Sequence, residues 1–322
     1  MVSGRSGAVT QPSLRRQKYV GFTRYMQRYW TLYLLLFLPM AFFIVFRYVP
    51  MAYILGAFKQ NNILLPPWKV PWAKNNGFEF FIKAFKNRDF LYALRNTVML
   101  NALDLIIGFP APILLALLLN ELTFKRFKRF TQTVVYLPHF LSWIIISGLA
   151  LRLLAPNDGL VNILLNRMGL ASIPFLNDNS HWVGTYVVLG IWKDAGWNTI
   201  IYLAAITAIN PELYEAAAVD GVTRWQKIWH ITLPGLRSTI IVLLILSLGR
   251  MLGSEFDRPY ALRNQVVTSV SNVISIFVYT NGIKGLQFSL TTAVGLFQSL
   301  VSLIFLLSAN GLAKRFGERG LW

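Results

Sequence analysis

Among the ionisable side chains inside long apolar runs of this chain are Asp104, Lys193, Asp194 and Arg250. A charge in hydrocarbon is expensive, so such groups usually face a cavity or a partner. Lys193 and Asp194 are neighbours and point about 100° apart on a helix. They are either a locally compensated pair or two groups turned to a cavity. Trp192, Trp197 and Asn198 flank them. Aromatic faces and amides suit rings with apolar faces and hydroxyl edges. The competing readings are helix packing for the two tryptophans and an interhelical salt bridge for Lys193. An anionic ligand would give an unpaired Lys193 or Arg152 a purpose; a neutral one would not. Asp104 and Arg250 read as structural groups at a contact between subunits. Tyr136, His139 and Trp143 read as gating or packing residues.

Other chemistry is missing. There is no cysteine, which removes disulfides, thiol nucleophiles and Cys-based metal sites. His139, His181 and His230 are far apart and match no metal spacing such as H-E-x-x-H. No G-x-x-x-x-G-K-[ST] phosphate loop occurs, so ATP hydrolysis is not expected of this chain. The sequence therefore predicts no catalytic residue, no metal and no cofactor of its own.

The elements that position these groups are apolar. Of 322 residues, 55% are hydrophobic and 14% charged, against roughly 25% charged in a soluble domain. The net charge of +18 would suit nucleic acid, but the basic residues sit beside apolar runs and not on a soluble face, which favours a membrane and no nucleic acid. Six runs, about 31–49, 97–119, 132–154, 183–207, 236–253 and 289–309, are long enough to cross roughly 30 Å of hydrocarbon as helices. The expected fold is an all-α integral membrane protein of six transmembrane helices. It forms a single domain, 31–322, after a basic cytoplasmic segment, 1–30. That segment is too long for a signal peptide and no A-x-A-like site follows, so the first span is read as an anchor. Pro110 and Pro112 should kink the second span, as a hinge or a fixed bend. Residues 267–279 are too short and polar to span and read as an interfacial or partly buried helix.

Orientation follows from lysine and arginine near the span ends. The segment 1–30, the tight loop Lys125-Arg126-Phe127-Lys128-Arg129, the residues Arg224, Lys227 and Arg237, and the tail hold sixteen of the thirty-one basic residues. Both termini are therefore placed in the cytoplasm, and so is the polar stretch YEAAAVDGVTRWQKIWHITLP that interrupts the apolar pattern at 214–234. Just before it Asn210 is a good N-cap and Pro211 fits the first helical position. Asp220-Gly221 ends the helix, because glycine tolerates the left-handed conformation there. Thr223 to Gln226 is a capping box that restarts a second short helix, and Pro234 should close it. Trp225, Ile228 and Trp229 offer an apolar knob and Arg224 and Lys227 charge. Local physics alone also allows an amphipathic loop resting on headgroups.

Within 210–234 the pattern Glu215-Ala216-Ala217, then Asp220-Gly221, then Ile231 and Leu233-Pro234 resembles the EAA loop of permease subunits in binding-protein-dependent ABC importers. The spacing is met without insertion. The similarity extends through 77–98, 136–148, 191–206 and 293–310, with Gly317-Glu318 and Leu321-Trp322. These stretches resemble the oligo- and polysaccharide branch of carbohydrate importers, and within it the first permease of importers for alginate oligosaccharides. The resemblance implies the type I importer permease fold in the bacterial cytoplasmic membrane. It implies that the loop is a coupling helix seated on a cytoplasmic ATPase. It further implies a second homologous permease in a heterodimer, two ATPase subunits that bind ATP and Mg, and an external sugar-binding protein facing 50–96 and 254–288. The competing classes are an ion-gradient-driven secondary transporter or channel with a coincidental EAA-like loop, and a membrane-anchored assembly protein without a pore.

Overall fold

The computed structural model describes residues 14–322 except Ser254, Phe316, Glu318, Arg319 and Trp322, with backbone only for 14–20, 22 and 23. Arg5 of the basic segment and Glu318, Arg319 and Trp322 of the tail lie outside the described residues, as do the side chains of Arg15, Arg16 and Lys18. The chain forms two compact units, Met1–Leu55 and Gly56–Trp322. In the first, helix α1, Leu14–Phe43, kinks at Tyr29 (φ −116°, ψ 15°) just before the apolar run. It continues through a π turn at Ile44–Tyr48 and a last turn at Val49–Met51. No described side chain of this unit is buried. A helix apolar all round with Leu35 72% and Leu38 75% exposed suits lipid and not water.

Among the described residues the regular elements of the second unit are helices, apart from one isolated bridge between Lys59 and Trp72. It opens with α2, Glu79–Lys86, and α3, Arg88–Leu103. Asn87 caps α3 by accepting the Asp89 N–H at 2.8 Å. A π turn at Asp104–Gly108 passes α3 on to α4, Pro110–Asn120. The Phe109 N–H bonds the Asp104 carbonyl at 2.8 Å, so a widened turn absorbs the donor that Pro110 lacks.

The stretch expected to cross as one span at 132–154 is two helices. α5, Lys125–Tyr136, and α6, Trp143–Leu153, meet at 101°. Pro138 sits in the 3-10 turn between them, and Ser142 starts the new helix by accepting the Ile145 N–H at 3.3 Å. The basic run 125–129, expected as a loop, is the first turn of α5. After α7, Leu160–Arg167, comes α8, Asn179–Thr207, an α-helix of 29 residues without a π turn, about 44 Å. Asp178 caps it, accepting the N–H groups of Ser180 and His181 at 3.0 and 3.1 Å. The bond from the His181 backbone, with the His181 ring, holds the Asp178 carboxyl below the usual range.

α9, Pro211–Val219, and α10, Arg224–Lys227, follow. Pro234, expected to close the second short helix, does not. A π turn at Ile228–Thr232 joins α10 to α11, Leu233–Gly249, and Arg224–Gly249 runs as one helix. The proline lies in the first turn of α11, where the π turn has already displaced the bond its ring would break. Gly249 ends the helix, so Arg250, expected within the fifth span, stands past its end. α12, Asp257–Leu262, α13, Thr268–Ser271, and α14, Ile274–Val278, lead to α15, Phe288–Arg315. Residues 267–279 are partly buried, with Val267 and Ile274 wholly buried and Thr268 and Ser269 exposed.

Four stretches are long and apolar enough to cross a membrane, Arg24–Phe58, Arg88–Asn120, Arg224–Gly249 and Phe288–Arg315, and the bent α5–α6 pair makes a fifth if counted as one. α8, expected as the fourth span, falls outside this set. Its apolar pattern is diluted by Lys193, Asp194 and several small and polar residues. Three clusters hold the second unit together. Leu100, Trp143, Ile146, Trp182 and Val273 join α3, α6 and α8 to the 253–273 segment. Phe80, Phe90, Phe277 and Val294 join α2, α3, α14 and α15. Ala116, Leu117, Tyr202, Ile206 and Leu236 join α4, α8 and α11.

Candidate functional site

Two features stand out. The first is a cavity of about 410 Å³ between α3–α4, α8 and α11, closed by the 250–258 segment. Asp194 and Asn198 line it, with Asp104, Arg250, Glu255 and Arg258. Of the other residues expected on a ligand path, none reaches its wall. Lys193 is buried beside it, its Nζ donating to the His139 carbonyl oxygen at 2.9 Å and lying 3.6 Å from Asp194 Oδ1. That carbonyl is released by the break between α5 and α6, and a buried acceptor needs a donor. Trp192 and Arg152 are exposed away from the cavity. Trp197 stacks on His139, ring centroids 4.6 Å apart and planes 5° from parallel. His139 Nδ1 is 2.9 Å from Asp194 Oδ1; opposite an ionised carboxylate this nitrogen is the donor.

Asp104 has its partner within the chain. Arg258 Nη1 and Nη2 donate to Asp104 Oδ2 and Oδ1 at 2.8 and 3.2 Å, and Nη2 also donates to the Tyr186 carbonyl oxygen. The guanidinium lies 3.5 Å from the Tyr186 ring centroid, a cation–π contact. Gly190 permits this approach, because a Cβ there would collide with the guanidinium. Glu255 accepts the Trp143 Nε1–H at 2.6 Å. Sequence reasoning missed Arg258 and Glu255. The one available signal was Asp104 itself, a carboxylate in an apolar run that demands a cation. Arg250 has no salt-bridge partner among the described residues, so it is the cavity's unpaired cation.

The second feature is the 210–234 segment. Asn210 accepts the Glu212 N–H at 3.0 Å. α9 ends in a Schellman motif, with Val222 N–H to the Ala217 carbonyl at 3.0 Å and Gly221 N–H to that of Ala218 at 3.3 Å. Gly221 has φ +69°, with nothing within 4 Å of where a Cβ would stand. Thr223 and Gln226 complete the capping box. Tyr214 Oη and Thr232 Oγ1, 3.0 Å apart, tie the two helices together. Glu215, Ala216, Asp220, Arg224 and Pro234 are exposed, Ile231 and Leu233 half-buried and Ala217 buried. Val219 is 89%, Trp225 71% and Trp229 65% exposed. Ile228, expected in the same knob, packs inward against the Tyr202–Leu236 cluster.

Residues 108–319 match the family described as the binding-protein-dependent transport system inner membrane component, and the chain belongs to that family. It is a multi-pass protein of the bacterial cytoplasmic membrane. It is similar to the polygalacturonan/rhamnogalacturonan transport system permease protein YteP of Bacillus subtilis (strain 168), with 45% identity over 90% of each chain. Among solved structures it is similar to a bacterial ABC transporter involved in the import of the acidic polysaccharide alginate, with 40% identity, a TM-score of 0.82 and coverage of 91% of this chain and 98% of that one. A second structure, of a bacterial alginate ABC transporter in complex with an alginate pentasaccharide-bound periplasmic protein, gives 39% identity, a TM-score of 0.84 and coverage of 92% and 99%. The fold is that of type I ABC importer permeases.

Proposed function

We propose that this chain is one permease subunit of an ATP-driven importer for acidic oligosaccharides, alginate-derived or pectic. The observation that carries the reading is the exposed, rigidly capped helix pair at 210–234 on a chain whose near full-length relatives serve polyuronide transport. In this reading Glu215, Ala216, Ala217, Asp220, Gly221, Arg224, Trp225, Ile231, Leu233 and Pro234 form the coupling surface. Two cytoplasmic ATPase subunits bind ATP and Mg and seat on it. A second permease completes the pore, and an external binding protein delivers the sugar. ATP drives transport because ATPase closure favours one permease state over the other.

The membrane crossing is read as six spans, counting α8 and the bent α5–α6 pair, with both termini in the cytoplasm. Support for that sidedness comes from the cluster joining Ala116, Leu117, Tyr202 and Leu236, which gathers the 120–125, 207–211 and 224–237 junctions at one end. Lys125, Arg126, Lys128, Arg129, Arg224, Lys227 and Arg237 therefore share a side, as inward-facing residues do. Arg250 in the cavity supports an anionic substrate. The test is uptake of alginate pentasaccharide into proteoliposomes holding the importer with its binding protein. ATP-dependent uptake is expected. Uptake that runs on an ion gradient without ATP would overturn the reading.

A further inference from the structure

Beside the N-terminus of α8, at the opposite end from the 210–234 segment, lies a second pocket of about 230 Å³. Arg263, Asn264, Gln265, Thr268, Ser271 and Asn272 line it, with no apolar residue. Its frame is fixed. Asn264 Oδ1 accepts the N–H groups of Val266 and Val267 at 2.9 and 3.2 Å, and its Nδ2 donates to the Leu176 carbonyl at 2.7 Å. Asn96, itself wholly buried, donates to the Ser269 and Asn272 carbonyls, both at 2.9 Å. Beneath it Val267 and Val273 are core.

Asn264 and the Thr268 hydroxyl bond within the frame, and other groups of the lining are unspent. Arg263 lies 4.2 Å from the Tyr260 ring centroid and has no carboxylate partner among the described residues. The side-chain amides of Gln265 and Asn272 have no hydrogen-bond partner among them either. One uncompensated guanidinium beside neutral amides and hydroxyls differs from a phosphate site, which gathers several cations. It matches a ring with one carboxylate and several hydroxyls. A planar guanidinium takes a carboxylate through two parallel bonds, and the fixed frame leaves little ordering to be done on binding. α12 links this pocket to the cavity. Arg263 and Arg258 are five residues apart, about 8 Å of helix rise.

We infer that this pocket is an outer binding subsite for one uronate residue of the oligosaccharide on its way to the cavity. Arg263 holds the carboxylate, and Gln265, Ser271 and Asn272 hold hydroxyls. The inference rests on the acidic-oligosaccharide reading above. The test compares uptake of alginate pentasaccharide with uptake of the same pentasaccharide reduced at its carboxyls, in proteoliposomes of the whole importer with its binding protein. Arg263→Gln should raise the half-saturating concentration of the acidic sugar by about tenfold, the loss of a charge-assisted pair. It should leave the reduced sugar unchanged, and Arg263→Lys should recover part of the loss. Asn272→Ala should weaken both sugars.

An Arg263→Gln importer that takes up the acidic sugar as the wild type does would overturn the subsite and leave the importer reading intact. Equal weakening for both sugars, with more binding protein needed for half-maximal ATPase activity, would make the pocket a docking point for that protein instead. A wild-type importer that takes up neither sugar would overturn the substrate reading and the subsite together.

Discussion

Replacing Gly190 by alanine should destabilise the protein, although alanine is the better helix residue. A Cβ at 190 would stand 2.5 Å from Arg258 Cζ and 2.8 Å from Nη1, with Nη2 nearer still. The guanidinium would have to retreat by about 1 Å to reach ordinary contact. It is a flexible tip, but Asp104 and the Tyr186 carbonyl pin it. A retreat of that size takes the 2.8 Å bond to Asp104 out of hydrogen-bond range. Breaking a buried ion pair costs about 3–5 kcal/mol. Asp104 keeps 30% of its side chain accessible, so the lower end applies. Alanine in a helix interior returns about 1 kcal/mol over glycine, leaving a net loss of about 2 kcal/mol. Thermal unfolding of the purified importer in detergent reads this out. In an Arg258→Met background no guanidinium is left to displace, so Gly190→Ala should become neutral or stabilising. Gly190→Ala as stable as the wild type, or equally harmful with Met at 258, would refute the steric account.

Other outcomes follow from the same structure. Gly221→Val should strain the left-handed turn by about 1–2 kcal/mol and lower sugar-stimulated ATPase activity and uptake together. Gly221→Asn should keep most of both, because asparagine tolerates that conformation and the space is open. Asn162→Leu should remove bonds to the Ala155 and Ile173 carbonyls and from the Ile173 N–H; faster hydrogen exchange confined to about 155–173 should result, at an expected loss of about 2–3 kcal/mol. Asp178→Ala should lower stability through the lost α8 cap. Because the folded carboxyl titrates below its ordinary value, that contribution is full above the unfolded value and fades as pH falls through the folded one. The stability gap between wild type and variant should therefore narrow only in strong acid, as denaturation followed across pH would report.

Local chemistry was the legible part of this chain. The N-cap at Asn210, the glycine turn at 221 and the capping box at 223–226 depend on residues within a few positions of one another. The structure has all three. Prolines were harder. Pro138 with Ser142 marks a true break, whereas Pro110 and Pro234 ride through on π turns, and nothing in the composition around them separates the cases. Whether a missing donor is absorbed or ends a helix depends on what packs alongside. The cavity was the least legible. Asp194 and Asn198 share one face of α8 four residues apart and line it, while Lys193 turns to a carbonyl that only the α5–α6 break makes available. Arg258 reaches Asp104 across 154 residues of sequence, a pairing no local pattern encodes.

The helix that runs unbroken from Arg224 to Gly249 has a mechanical consequence. Leu236, wholly buried among Tyr202, Ile206 and Leu117, is its most deeply buried side chain and is taken as the pivot. Trp225 lies eleven residues before it and Ser247, on the cavity wall, eleven after, so each arm is about 16 Å. Such a beam, balanced at Leu236, neither amplifies nor attenuates. A sideways push of a given size at Trp225 arrives at Ser247 with the same size and the opposite direction. The π turn at 228–232 lies on the short stretch between the push and the fulcrum, so any compliance in the beam sits on the driven side, and the cavity wall moves as a rigid arm.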